Sequence, residues 1–268
     1  MADLPLVSVV IPVFNRVAVI KRAIDSVLAQ DYGNFELLVV DDGSTDETPV
    51  VLSALAETGG FTLLHQSNRG VSAARNLGIS HCHGEFIAFL DSDDEWLPGK
   101  ITAQVNYFLN SPSEVLVQTQ EIWIRNGVRV NPKRKHLKKS GDIFLESLKL
   151  CLISPSAVML RKTLFNEIGF FDENLKAAED YDLWLRILAR HPAGLIDRYL
   201  ARRYGGHADQ LSAQPCLDKY RIMALEKILL EKLTPEKRKA AEDELSLRRR
   251  IYENGALKRA AAMRETNS

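Results

Sequence analysis

The stretch EFIAFLDSDDEW, residues 85–96, changes from apolar to acidic with almost no transition. The apolar run at 86–90 predicts a strand that is buried on both faces. Asp91, Asp93 and Asp94 follow at once, and carboxylates at this spacing repel one another and cost free energy if they lose water without a counter-charge. The sequence therefore predicts that a positively charged group binds at the end of this strand.

Strands and helices alternate through the first half of the chain. Buried strands are predicted at 6–13, 35–40, 61–66 and 85–90, and helices begin near Ile20, after DDGSTD, at Val71 and at Pro98. Asn15 could cap the first helix, while Ser44 and Glu47 have capping-box spacing before the second. The short connections are typical of βαβ units, which predicts an α/β fold with a Rossmann-like, mostly parallel central sheet flanked by helices.

The pattern changes after about residue 113. Strands are predicted at 115–124 and 156–161, a helix at 179–191, and helical sequence from 216 onward. We expect one domain over 1–215, made of a first half (about 1–112) and a second half (113–215). A C-terminal helical extension over 216–268 could pack on this domain or on a second subunit, as a homodimer.

Composition narrows the class of protein. Lys plus Arg equals Asp plus Glu at 35 each, so no overall positive charge favours nucleic acid as a partner. The three cysteines, Cys82, Cys151 and Cys216, are scattered, as suits a reducing compartment. Asp3 stands where a signal peptide would carry positive charge, and no apolar run reaches spanning length. These features predict a cytoplasmic protein, with contact at the inner face of the membrane left open.

Polar clusters follow each of the four predicted strands of the first half. The clusters are PVFNR, DDGS, QSNRG and DSDDE, and the carboxyl ends of parallel strands meet at one edge of a sheet, where ligands bind. Paired carboxylates suit a hard divalent cation that bridges to phosphates, and arginines supply donors for oxyanions. The edge therefore suggests a metal-bound nucleoside diphosphate, although DDGSTD alone could be a turn and DSDD alone a solvated loop.

Four motifs in order carry a family resemblance. VSVVIPVFNR, VVDDGSTDET, NRGVSAARNLGI and GEFIAFLDSDDEWLPGK resemble the family 2 inverting glycosyltransferases with the GT-A type fold, over roughly residues 6–210. The resemblance implies metal-dependent, hexosyltransferase-like transfer from a nucleotide sugar, usually UDP-linked, to a hydroxyl of a glycan or lipid-linked acceptor. Cell-surface polysaccharide synthesis is the process that it implies.

The resemblance also implies roles for individual residues. Those assigned to the nucleotide are Pro12, Val13, Phe14, Asn15, Asp42, Arg69, Arg75, Asp91 and Ser92. Asp91 and Asp93 match the Asp-X-Asp motif that holds Mn²⁺ or Mg²⁺ and the ribose. Asp93 is the favoured metal ligand, Asp94 is the alternative, and His207 resembles a late-loop histidine near the metal.

The second half of the domain, residues 113–215, is the half that the resemblance implies to bind the acceptor. It carries its own motif, AAEDYDLWLR. By resemblance, Glu179 and Asp180 form the Glu-Asp pair whose Asp acts as the base; the alternative is that both merely favour a helix N-terminus. In the basic segment at 125–139 (Lys133, Arg134, Lys135, Lys138 and Lys139), the side chains could meet an anionic membrane or a lipid diphosphate.

Two other functions, a sugar nucleotidyltransferase and a non-catalytic binding module, fit the sequence less well. A sugar nucleotidyltransferase would usually carry a Gly-rich loop after the first strand, and PVFNR has no glycine. A nucleotide-sugar-binding module without catalysis would not need both the Asp cluster and the Glu-Asp pair. The sequence therefore favours a glycosyltransferase.

Overall fold

A nine-stranded sheet lies at the centre of the computed structural model, which describes residues 4–131, 133–206 and 217–266, with side chains described up to residue 255. The strands are β1 (Val7–Val13), β2 (Phe35–Asp41), β3 (Thr62–His65), β4 (Phe86–Phe89), β5 (Glu95–Trp96), β6 (Leu116–Arg125), β7 (Val128–Val130), β8 (Val158–Arg161) and β9 (Gly194–Gly205). The helices are α1 (Ile20–Leu28), α2 (Thr48–Glu57), α3 (Val71–His81), α4 (Lys100–Asn110), α5 (Phe144–Lys149), α6 (Leu164–Ile168), α7 (Glu179–Leu188), α8 (Leu217–Ile228) and α9 (Pro235–Thr266).

The first half of the chain forms the parallel part of the sheet. The strand order is β3-β2-β1-β4, and all three pairings are parallel, as the alternation of strands and helices predicts. Every residue of β1 and β4 is buried, because helices cover both faces. One apolar core holds residues of α1 and α4, and the other holds residues of α3, α5 and α7.

The second half extends the same sheet with mixed strand directions. β8 is antiparallel to both β4 and β6, β9 is parallel to β6, and β5 is antiparallel to β9. β9 was not expected from the sequence, and it is the longest strand of the described chain. The mixed α/β class is confirmed, with the parallel order concentrated in the first half.

One helix start and the capping of two helices differ from the predictions. Helix α4 begins at Lys100 rather than at Pro98, after Gly99 in a left-handed conformation with φ of 83°. Helix α1 is preceded by Val19 and α2 by Glu47, and neither has a side-chain capping hydrogen bond. The capping predictions for Asn15, Ser44 and Glu47 are therefore wrong, because the side chains of Asn15 and Ser44 bond to each other's loops instead.

The C-terminal helices pack against the rest of the chain. Ala224, Leu225 and Ile228 of α8 are buried in the core that α7 also enters. Lys227 at the end of α8 pairs with Asp182 of α7 at 3.1 Å. No helix in the described ranges is long and apolar enough to cross a membrane. The division of the chain at 215/216 stays a prediction.

Candidate active site

The loops that follow β1 and β2 are tied together by Asn15. This residue has a left-handed backbone, with φ of 52°, which asparagine adopts more readily than most residues. Its backbone N–H donates to Ser44 Oγ at 2.9 Å, and its Oδ1 accepts from the N–H of Thr45 at 2.8 Å. Gly43 has φ of 71°, and a Cβ there would lie 2.7 Å from the backbone nitrogen of Asn68. The sequence PVFN and the glycine of DDGS therefore fix three neighbouring loops at one edge of the sheet.

Asp42 holds the loop that follows β3. Its side chain is buried, and it accepts hydrogen bonds from Gln66 Nε2 at 2.6 Å and from the backbone N–H groups of Arg69 and Gly70, both at 2.9 Å. Charge-assisted bonds of this kind are stronger than neutral ones. Asp42 therefore shapes the edge at which the family resemblance implies that it binds the nucleotide.

The two candidate metal ligands have different surroundings. Asp94 is buried, and both of its carboxylate oxygens are used: Oδ2 accepts from Ser156 Oγ at 2.6 Å and Oδ1 from the N–H of Tyr204 at 2.9 Å. Burial, followed by the charges of Asp93 and Asp91, raises the pKa of Asp94 well above its ordinary value. Asp93 is partly exposed, and its carbonyl oxygen accepts from Arg22 Nη2.

Arg75 connects the two acidic motifs. Its guanidinium donates through Nη2 to Asp91 Oδ1 at 2.8 Å and through Nη1 to Glu179 Oε1 at 2.6 Å, while its side chain is only 3% exposed. Burial alone would lower the pKa of Arg75, but the charges of Asp91 and Glu179 outweigh it and raise the pKa. One arginine thus brings together residues 91 and 179, which the sequence keeps far apart.

Asp180 lies beside this bridge at the start of α7. Ala178, the residue before the Glu-Asp pair, has a left-handed backbone with φ of 58°, so the chain turns sharply into the helix. Asp180 Oδ1 accepts from the N–H of Tyr181 at 2.7 Å, and its Oδ2 lies 3.5 Å from the thiol of Cys151. Burial and then the charge of Asp180 raise the pKa of Cys151, so the thiol stays protonated and donates.

Glu179 is placed differently from its neighbour. It is 5% exposed and ion-paired to Arg75, and burial raises its pKa while Arg75 partly offsets this. A carboxylate whose oxygen already accepts from a buried guanidinium is poorly placed to take a proton. Asp180 is therefore the better candidate for a base, and Glu179 is part of the scaffold that holds it.

The remaining predicted residues have distinct positions. Pro12 and Val13 are buried at the end of β1, whereas Phe14 is 40% exposed beyond it. Ser92 is buried, and Arg69 directs an exposed guanidinium to Glu173 at 2.5 Å. His207 lies outside the described residues.

Sequence reasoning missed Arg203 of β9. Burial alone would lower its pKa, but the charges of Glu121, Asp94, Asp91 and Asp180 raise it. Arg203 is therefore a built-in counter-charge for the acidic motifs. The only signal in the sequence was the pair of arginines in LARRYGG, and without the strand β9 nothing placed it near the site.

The basic side chains of the segment at 125–139 differ in exposure: Lys138 is buried, and the others named in the prediction are exposed. The prediction that Lys138 could meet a membrane is wrong, because its side chain is buried and pairs with Glu121 Oε2 at 3.1 Å. Lys139 is exposed and pairs with Glu146. Lys133, Arg134 and Lys135 are exposed and stay candidates for an anionic partner.

The acidic motif fits a divalent cation. Three carboxylates lie within four consecutive positions, and burial first, then the charges of Asp93 and Asp91, raise the pKa of Asp94. Mg²⁺ is commonly held by one or two carboxylates together with substrate phosphates, and Asp91 and Asp93 can supply these. Within the described residues, no three His, Cys, Asp or Glu side chains converge into a preformed metal cluster.

Comparison with solved structures gives the fold. TarS of S. aureus, solved with UDP-GlcNAc, superposes with a TM-score of 0.70 at 21% identity over 89% of this chain and 70% of that chain. A mannosyltransferase of Pyrobaculum calidifontis, solved with GDP-Man and Mn²⁺, superposes with a TM-score of 0.68 at 19% identity over 98% of this chain and 76% of that chain. The GT-A type fold is therefore confirmed.

Comparison with sequences gives the family. An uncharacterized glycosyltransferase of Rickettsia felis is 37% identical over 73% of this chain, which spans 32% of that relative's length. The E. coli protein WfgD, a UDP-Glc:α-D-GlcNAc-diphosphoundecaprenol β-1,3-glucosyltransferase, is 34% identical over 68% of this chain and 70% of its own. The family model described as glycosyl transferase family 2 matches residues 8–169. The expected family is confirmed, and this chain belongs to glycosyl transferase family 2.

Proposed function

We propose that this chain transfers a hexose from a nucleoside diphosphate sugar, with UDP as the favoured carrier, to a hydroxyl of a lipid-linked sugar. The observation that carries the proposal is the Arg75 bridge, because it holds the Asp91 motif and the Glu179–Asp180 pair in one site. The names of WfgD and of WfaP, a second E. coli glucosyltransferase, describe transfer from UDP-Glc to a GlcNAc-diphosphoundecaprenol. Those names support the choice of donor and acceptor.

The donor would bind where the loops after β1, β2 and β3 meet. The residues proposed to surround the nucleotide are Pro12, Val13, Phe14, Asn15, Asp42, Arg69, Arg75, Asp91 and Ser92. Phe14 and Asp91 are exposed enough to touch it, whereas Asp42 and Arg75 act mainly by fixing the loops around it. Phe14 and Asp91 would therefore contact the nucleotide, whereas Asp42 and Arg75 would position its surroundings.

Asp93, rather than Asp94, would hold the Mn²⁺ or Mg²⁺. Ser156 and Tyr204 already occupy both oxygens of Asp94, and its burial disfavours a ligand exchange with solvent. Asp91 would share the cation or bind the ribose. A divalent cation held there would neutralise the negative charge that builds on the leaving diphosphate.

Asp180 would act as the general base in a single displacement. Its carboxylate takes the proton from the acceptor hydroxyl while that oxygen forms a bond to the anomeric carbon. The bond from that carbon to the diphosphate oxygen breaks on the opposite face, and the nucleoside diphosphate leaves with the electron pair. The thiol of Cys151 and the N–H of Tyr181 orient Asp180 for this task. The configuration of the anomeric carbon should invert.

A donor screen followed by a transfer assay tests the proposal. Thermal shift with UDP-Glc, UDP-GlcNAc and GDP-Man, each with Mn²⁺, identifies the donor. Transfer to a short-chain GlcNAc diphosphate lipid is then followed by mass spectrometry. NMR of the product should show a β linkage from an α-linked donor, and an α linkage would contradict the inverting mechanism.

Three variants assign the roles. Asp180→Asn should lower turnover roughly 100- to 10,000-fold, the usual contribution of a general base, while donor affinity is kept. Asp93→Asn should abolish Mn²⁺-dependent turnover. Asp94→Asn should keep Mn²⁺ dependence, because the amide can still accept from Tyr204 and donate to Ser156. Donor binding without hydrolysis or transfer would instead favour a binding module.

The lipid-linked acceptor gives the location that we propose, at the inner face of a membrane. We also predict that the chain can contact this membrane and can form a homodimer. Vesicle co-sedimentation and light scattering of the purified chain test them separately.

A further inference from the structure

An aromatic ring with a partly exposed surface lies on β6. Trp123 of β6 contacts His136, with ring centroids 5.3 Å apart, and the guanidinium carbon of Arg203 lies 5.8 Å from the centre of the Trp123 ring. The chain has three tryptophans, and the other two, Trp96 and Trp184, are each only 2% exposed. Trp123 is therefore the tryptophan whose ring can meet a ligand.

A continuous series of contacts joins this ring to the proposed base. Asp180 Oδ2 lies 3.5 Å from the thiol of Cys151, and the next residue along the chain, Leu152, accepts through its carbonyl from Lys138 Nζ at 3.4 Å. Lys138 Nζ pairs with Glu121 Oε2 at 3.1 Å. Glu121 and Trp123 are two positions apart on β6, so their side chains share one face of the sheet. Trp123 therefore lies on the face of β6 from which Glu121 is linked to Asp180 through Lys138 and the chain at 151–152.

Positive charge is concentrated around the ring. Burial lowers the pKa of His136. Nearby positive charge lowers it further, from Lys135, Lys133, Arg203 and Arg125. No ion pair within the described ranges uses Arg125, Lys133 or Lys135, all of which are exposed. Cations that crowd in this way repel one another unless an anion binds among them. The His136 ring, which contacts Trp123, is thus surrounded by cations, of which Arg125, Lys133 and Lys135 have no ion pair in the described part of the chain.

We propose that Trp123 and His136 hold the acceptor sugar, and that Arg125, Lys133 and Lys135 bind a diphosphate attached to that sugar. The proposal rests on the proposed function and assigns the substrate class of the same site. Aromatic faces give a sugar ring apolar contact area, and Arg and Lys are the usual partners of phosphate oxygens. A sugar on Trp123 can present a hydroxyl towards Asp180 while its phosphates lie towards the basic segment.

Tryptophan fluorescence tests the subsite without any donor. The probe is GlcNAc-α-1-diphosphate carrying a short alkyl chain, titrated into the purified chain. Because Trp96 and Trp184 are buried, the signal should come from Trp123 and should vanish in Trp123→Phe. Calorimetry should show at least tenfold weaker binding in Trp123→Ala and in the double variant Lys133→Gln/Lys135→Gln.

A matched control separates this effect from general loss of charge. Lys21→Gln/Lys239→Gln removes two exposed lysines from α1 and α9 and should leave affinity for the probe unchanged. UDP with Mn²⁺ should raise the melting temperature equally in every variant. Loss of that shift in Trp123→Ala would assign the ring to the donor side and overturn the proposal.

A vesicle experiment distinguishes the sources of phosphate. If Lys133→Gln/Lys135→Gln weakens binding to phosphatidylglycerol vesicles but not to the soluble probe, the cations contact a membrane and the proposal is wrong. If the wild-type chain binds the probe at Trp123 but transfers no sugar from any donor, the subsite stands and the proposed function fails. Transfer activity that is indifferent to Trp123 and to both lysines would leave the proposed function and overturn the subsite.

Discussion

At the scale of single residues, the site depends on how buried charges are paired. Arg75 is 3% exposed and has two carboxylate partners, Asp91 and Glu179, and Arg203 offsets the charge of Asp91 together with three further acidic groups. Removing one partner of a buried pair is costly because it leaves the other charge desolvated and uncompensated. The chemistry proposed for Asp180 therefore depends on residues that never touch substrate.

Arg75→Met should destabilise the fold by about 3–5 kcal/mol, because Asp91 and Glu179 lose their shared counter-charge. The control is Arg249→Met, which removes a bond of the same length, 2.6 Å to Glu226, between half-exposed side chains. An exposed pair contributes at most about 1 kcal/mol. Urea unfolding measures both. Equal losses in the two variants would contradict the structural role given to Arg75.

Lys100 gives a prediction about pH. It is fully buried, donates to Gln104 Oε1 at 2.6 Å, and lies 4.0 Å from the centre of the Trp96 ring. Burial lowers its pKa well below the ordinary value, although Glu121 raises it and Lys138 lowers it again. At pH values between the lowered pKa of Lys100 in the folded chain and its ordinary pKa in the unfolded chain, the unfolded chain binds more protons. The free energy of unfolding therefore rises with pH over this range, because the cost of burying Lys100 becomes smaller.

We compare wild type with Lys100→Met between pH 6.5 and 9.5. The free energy of unfolding of the wild type should rise relative to the variant across this range. The hydrogen bond to Gln104 that Met cannot make is a constant offset and does not affect the slope. A difference that is independent of pH would show that Lys100 is charged in both states and would contradict the lowered pKa.

At the scale of elements, the strength of the sequence signal decided what could be predicted. β1, β2 and β4 are apolar runs with buried neighbours, so their positions and parallel pairing followed from the sequence. β9 was missed because GLIDRYLARRYG mixes charged and apolar residues without a clean alternation, and its register with β6 shifts near Gln120. A strand of this kind is defined by its partners, which one sequence does not reveal.

The same limit applies to the choice between Asp93 and Asp94. The two are adjacent and chemically identical in the sequence. The structure distinguishes them through Ser156 and Tyr204, which are 62 and 110 residues away from Asp94. The motifs were therefore predictable, whereas the partners of each carboxylate were not.

Helix α3 depends on a close approach to the sheet. A Cβ added at Gly78 would lie 2.4 Å from Val10 Cγ1 of β1, so the helix that carries Arg75 must move. Gly78→Ala should cost about 1–3 kcal/mol by overpacking, and adding Val10→Ala should recover part of the loss. Gly33→Ala is the control, because nothing lies within 4 Å of its added Cβ. Calorimetric melting compares the three; an unchanged Gly78→Ala would mean that α3 can shift freely.

At the scale of the whole molecule, the site is assembled from both halves of one sheet and supported from the C-terminus. Lys227 of α8 pairs with Asp182 at 3.1 Å, and Lys237 of α9 donates to the carbonyl of Leu188 at 3.1 Å. Both contacts hold α7, whose first turn presents Glu179 and Asp180. The C-terminal helices therefore act on the site through the position of α7.

A matched pair of leucines tests this support. Leu225 is fully buried against the core that includes α7, whereas Leu230, five positions later, is 87% exposed. Leu225→Ala should cost about 2–5 kcal/mol through lost burial and the cavity left behind, and Leu230→Ala should change stability by less than about 0.5 kcal/mol. Hydrogen exchange should become faster in α7 for Leu225→Ala, beyond any change in β1 and β2. Exchange that rises equally in all three elements would show only a global loss of stability, and unchanged exchange in α7 would show that the C-terminal helices do not hold the proposed base, Asp180.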